Sequence, residues 1–109
     1  MLRFFRWLQR LFGITPKYRL RKCDEIPDSL DQYTLYVVGS EGCYWLAAMT
    51  CPCECGDLIQ LSLASSGHPR WTIDWEVQVA ASLYPSVHRT TGCRSHFFLK
   101  QGKVIWCNG

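Results

Sequence analysis

The feature that most narrows what this chain can fold into is the run Cys51-Pro52-Cys53-Glu54-Cys55-Gly56, taken with Cys93-Arg94-Ser95-His96 near the other end. Ligands separated by one or two residues enter a metal's coordination sphere from a single tight turn. A fold that uses both runs must therefore lay one loop against the other. Four of Cys51, Cys53, Cys55, Cys93 and His96 suffice for a tetrahedral zinc site. Cys53 and Cys55 are the favoured pair from the first run, because Gly56 suits a tight ligand turn. Cys51 is held in reserve, with a buried position as a small hydrophobe as its alternative. Gly92 gives Cys93 the same freedom to turn.

The cysteines number seven in 109 residues. Arg3, Arg6 and Arg10 interrupt the apolar start, so no continuous signal-peptide core is expected. That points to a reduced, cytoplasmic chain, possessing the option of a peripheral membrane contact, in which clustered cysteines bind metal rather than form disulfides. Cys3His ligation also admits an iron–sulfur cluster, and the spacing is formally similar to the hairpin-tip loops of Rieske proteins. Zinc is favoured because nothing else in the chain suggests electron transfer.

Charge divides the chain in two. Seven of the twelve basic residues and none of the nine acids lie within the first 22 positions, so the remainder is formally −4. Residues 1–14 place Phe4, Phe5, Leu8, Leu11 and Phe12 on one helical face, with Arg3, Arg6 and Arg10 largely opposite. The pattern predicts a short basic amphipathic helix that lies on an anionic membrane surface, docks in a partner's groove, or packs on its own domain. No apolar run is long enough to span a bilayer as a helix. Residues 15–31, with two prolines and dense charge, read as a connector with one extended piece around Tyr18–Leu20, and residues 32–109 as the metal-binding domain.

Within that domain the chain reads as short strands separated by turns: Tyr33–Val38, Tyr44–Met49, Leu58–Leu63, Arg70–Trp75, Val77–Leu83, His96–Lys100 and Lys103–Trp106. Gln101-Gly102 is a two-residue hairpin turn. The expected architecture is mostly β: a small antiparallel sheet or sandwich, Rieske-like or zinc-ribbon-like, with the zinc site at hairpin ends. With 48% hydrophobic residues the chain can bury a modest core that a metal would reinforce.

Four protein ligands close a tetrahedron and leave no position for a metal-bound water, so the metal is expected to be structural. No G-x-S-x-G or H-E-x-x-H motif is present, and no catalytic residue is assigned. Arg70 and Trp71, with Ser86 and Arg89, are candidates for lining a groove that takes a peptide or carboxylate; an aromatic core with a solvated rim is the plainer alternative. The acidic body and the lack of a reading motif argue against nucleic acid.

The progression CPCECGDLIQLSL, HPRW and SLYPSVHRTTGCRSHFFLKQGKVIW resembles a family of small bacterial proteins with a domain of unknown function, whose members carry C-P-C-x-C, a Trp-bearing strand, a Pro-Ser pair and a terminal C-x-x-H-F. Cys51, Cys53, Cys55, Cys93 and His96 fall on its motif positions. The resemblance implies a metal-binding β domain, some of whose relatives are encoded near ubiquitin-like proteins and their activating and conjugating enzymes. It lends no catalytic residue. The favoured function is a zinc-stabilised, non-catalytic adaptor that binds a protein partner, in a ubiquitin-like modification pathway if the resemblance carries over. The alternative is a metal- or thiol-dependent enzyme or a Rieske-like redox protein.

Overall fold

A computed structural model describes residues 17–40, 42–67, 69–75, 80–90 and 92–107. Among these residues eight strands follow in order: β1 (Arg19–Cys23), β2 (Thr34–Ser40), β3 (Cys43–Thr50), β4 (Leu58–Ser62), β5 (Thr72–Ile73), β6 (Leu83–His88), β7 (His96–Lys100) and β8 (Lys103–Trp106). They form two four-stranded sheets, β1-β2-β3-β4 and β5-β6-β7-β8. Among the described residues there is no helix. The amphipathic helix expected over residues 1–14 lies outside them.

The two sheets share one core because each strand alternates inward and outward side chains. Leu35, Val37, Ala47, Met49, Ile59 and Leu61 come from the first sheet, and Ile73, Leu83, Val87, Phe97 and Leu99 from the second; all belong to one buried cluster. The inward parity of β3 continues past its end, so Ala47 and Met49 are followed by Cys51, which is only 2% exposed. β2 is buried on both faces. On its outer side the Asp31 N–H donates to the Tyr36 hydroxyl at 2.9 Å, which fixes the chain between β1 and β2 over that face.

Every strand pair is antiparallel except β1 with β2, which run parallel from Arg19↔Thr34 to Cys23↔Val38. The exception arises in the stretch read as a connector. Tyr18 there is 1% exposed and its backbone stitches three segments together: its N–H donates to Gly102 O at 2.7 Å and its carbonyl accepts from Ala81 N–H at 3.0 Å. Gly102 lies in the β7–β8 turn with φ +80°, and a Cβ there would come 2.9 Å from the Tyr18 carbonyl. The turn thus needs glycine both for its backbone and for this approach.

Most strands match the alternation of the sequence. The Arg70–Trp75 run contributes only the two residues of β5, whose partners are Tyr84 and Leu83. Of the strand expected over Val77–Leu83, residues 77–79 lie outside the described set, and β6 starts at Leu83.

Candidate functional site

The two cysteine runs meet. The Sγ atoms of Cys51, Cys53, Cys55 and Cys93 all lie within 4.8 Å of one another. Cys51 is 3.3 Å from Cys53 and 3.5 Å from Cys93. Zn–S bonds of about 2.3 Å at tetrahedral angles put sulfurs about 3.8 Å apart, so four thiolates drawn around one divalent ion need little rearrangement. The first three are held by a tight turn: Cys51 N–H donates to Asp57 O at 2.9 Å and Glu54 N–H to Cys51 O at 3.1 Å. Glu54 and Gly56 take positive φ within it. Cys93 is presented by the β6–β7 loop, where Gly92 has φ +66° and a Cβ would press on Asp57 and Arg89 at 3.1 and 3.2 Å.

Cys51 therefore combines two roles that the sequence offers as alternatives. It is a member of the buried core and of the sulfur group. It occupies the place in that group that the sequence reading reserved for His96.

Polar neighbours polarise the sulfurs unequally. The Ser95 hydroxyl, 2.9 Å from Cys93 Sγ, is the main cause of a Cys93 pKa lowered to about 6. Cys53 is raised above the ordinary thiol value, first by burial and then by Cys51 beside it. Cys55 is raised as well: the main chain at Asp57 pulls it down, and Cys53, desolvation and Cys93 together outweigh that pull. Arg89 donates to Cys93 Sγ at 3.1 Å and to Cys55 Sγ at 3.6 Å, while its other nitrogen pairs with Asp57 Oδ2 at 3.1 Å. That carboxylate is the leading cause that raises the Arg89 pKa.

His96 is turned elsewhere. It opens β7 opposite His88, the last residue of β6. The two imidazoles stack with centroids 4.4 Å apart and planes at 17°. Val87 is buried, so Ser86 and His88 both face outward, which makes Ser86 a diagonal cross-strand neighbour of His96. The β6–β7 register shifts between Leu83 and Val87, a bulge that spans Tyr84-Pro85-Ser86 and contains the cis Tyr84–Pro85 peptide. Bulges re-aim side chains, and here Ser86 Oγ ends 3.0 Å from His96 Nε2.

This is the separation required of a hydroxyl nucleophile and its general base. For Nε2 to take the serine proton, the neutral imidazole carries its own on Nδ1. Nδ1 is buried and has no hydrogen-bond partner among the described residues. Among the described residues no carboxylate orients the ring, which stacks on His88.

Of the four residues grouped as a candidate groove, Arg70 and Trp71 share a cleft, Trp71 also meets Ser86, and Arg89 does not line that cleft. Ser86 joins His96. Trp71 Nε1 donates to the Ser86 carbonyl at 3.3 Å, and Trp71 and Arg70 line an open cleft of about 330 Å³ together with Tyr44 and Trp75. Arg89 is committed to the sulfur cluster. The pairing of Ser86 with His96 was not read from the sequence, since it depends on strand register. The signal available was the shared outward parity of Ser86 and His88 in the Pro-Ser-Val-His run.

A family model described as "Bacterial ubiquitination-like system serine protease (BubE)" matches residues 22–107. No curated protein and no solved structure matches the chain.

Proposed function

Since the chain belongs to this bacterial ubiquitination-like system family, we propose that it is itself a serine protease of such a system, with Ser86 as nucleophile and His96 as general base. The observation that carries the reading is the 3.0 Å contact between Ser86 Oγ and His96 Nε2 on an outward sheet face. In this reaction Ser86 Oγ attacks the carbonyl carbon of the scissile bond as its proton passes to His96 Nε2. The same nitrogen then returns the proton to the leaving group, and an acyl group stays on Ser86. Water attacks the acyl carbon, losing its proton to Nε2, which hands that proton to Ser86 Oγ as the Oγ–acyl bond breaks and the acid leaves.

The four cysteines would hold zinc, which their thiolate chemistry favours over the harder-ligand metals. Bound there, the ion would supply cross-linking of two loops, with all four positions filled by protein. Its substrates would be proteins of the ubiquitination-like system, approached across the sheet face that carries Ser86.

The closed sulfur set also favours a second reading, a zinc-stabilised adaptor without catalysis. A fluorophosphonate probe separates the two. Under the protease reading it labels Ser86, located by mass spectrometry of the digested chain, and Ser86→Ala abolishes the labelling. Absence of labelling in the zinc-loaded wild type would favour the adaptor.

A further inference from the structure

The two histidines at the loop end of the β6–β7 hairpin are each followed or preceded by a residue bound to the sulfur cluster. Arg89 comes directly after His88, and Ser95 directly before His96. Arg89 N–H donates to the Ser95 carbonyl at 2.8 Å, which adds one more rung beyond the His88↔His96 pair. From that rung the Arg89 guanidinium bonds the Cys93 sulfur of its own loop and crosses to the loop after β3, where it meets the Cys55 sulfur and the Asp57 carboxylate. The Ser95 hydroxyl sits 2.9 Å from Cys93 Sγ and 3.6 Å from Cys51 Sγ.

We propose that Arg89 is a positioning residue for His96: anchored on Asp57, it ties the sulfur cluster to the last rung of the hairpin and thereby holds the base against Ser86. This rests on the reading of Ser86 and His96 as nucleophile and base. Two observations give Arg89 this weight. His96 Nδ1 has no polar partner among the described residues, so its ring depends on the hairpin end and on His88. Four thiolates around a divalent ion carry a net charge of about −2, and Arg89 brings its cation and N–H donors directly to two of those sulfurs. Its planar fork reaches carboxylate and sulfur at once, which a lysine ammonium on a flexible stem cannot reproduce.

The test uses the full chain loaded with Co2+, and the variants Arg89→Ala, Arg89→Lys and Asp57→Asn. Partners of metal ligands typically contribute about 10–100-fold to activity or metal affinity. Labelling of Ser86 by the fluorophosphonate is expected to slow by about that factor in Arg89→Ala, with partial recovery in Arg89→Lys. The thiolate-to-cobalt charge-transfer band should move to longer wavelength at unchanged cobalt stoichiometry, since sulfurs that lose N–H donors become more electron-rich. Wild-type labelling rates with an unshifted band would overturn the proposal; if Arg89→Ala does not fold, the same result in Arg89→Lys and Asp57→Asn overturns it. Wild type that fails to label, or Ser86→Ala that still labels, removes the dyad and this proposal with it. Labelling that depends on Ser86 but not on Arg89 removes only the proposal.

Discussion

Replacing Tyr18 with alanine tests whether the fold extends into the stretch that composition marks as a connector. Tyr18 is 1% exposed within the shared core, its ring meets Tyr33 edge-on at 5.6 Å, and its hydroxyl donates to Thr50 O at 3.2 Å. Deleting a buried aromatic ring costs about 3–5 kcal/mol, and the lost hydrogen bond adds about 0.5–1.5. The sum, roughly 3.5–6.5 kcal/mol, is a large part of the 5–15 kcal/mol expected of a whole domain. Tyr18→Phe removes only the hydroxyl and should cost about 1 kcal/mol. Because Thr50 immediately precedes Cys51, the alanine variant should also weaken metal retention. The assay is denaturant unfolding of wild type and both variants at one fixed excess of zinc, since bound metal adds its own stabilisation. A loss below about 1.5 kcal/mol for Tyr18→Ala would refute the placement of Tyr18 in the core. A chain shortened to begin at Gln32 should be destabilised at least as much, because it loses β1 as well.

Three further outcomes follow from the site. Under the protease reading, His96→Gln should lower kcat/KM, measured on a conjugate of the ubiquitination-like system, by about 10²–10⁴-fold while the cobalt spectrum keeps its thiolate bands, because His96 lies outside the sulfur group. Chelation should unfold the domain cooperatively, as structural zinc is worth about 10–16 kcal/mol in small peptides; unchanged melting after complete metal removal would count against a structural metal. At pH 7 the raised Cys53 and Cys55 thiols hold protons that metal uptake must displace, so apparent affinity should fall as pH drops and fall more steeply once Cys93, lowered to about 6, is protonated too. Calorimetric titrations in buffers of different ionisation enthalpy count the protons released.

The elements legible in the sequence are those with local signals. The alternation in His96–Lys100 and Lys103–Trp106, with Gln101-Gly102 between them, gave β7, β8 and their turn, because hairpin pairing is set by residues close in the chain. β2, β3 and β4 were readable for the same reason. β1 was legible only in part, as an extended piece around Tyr18–Leu20: Arg-Leu-Arg-Lys-Cys carries little apolar pattern, and it is a full strand because β2 offers it a parallel edge and Tyr18 plugs the core beside it.

The chemistry divides along the same line. Chelating spacing is a local property, so Cys51, Cys53, Cys55, Cys93 and His96 stand out from the chain alone as candidates to share a metal. The partition of roles needed tertiary structure. The inward parity of β3 carries Cys51 into the sulfur group, while the pairing of His96 with His88 turns its imidazole away from that group. Ser86 reaches His96 only because a bulge shifts the β6–β7 register, and Arg89 reaches the cysteines only because the loop after β3 lies against the end of that hairpin. Spacing along the chain fixes which ligands can share a turn; register and parity across strands fix which side chains share a face, and those depend on residues far apart in the sequence.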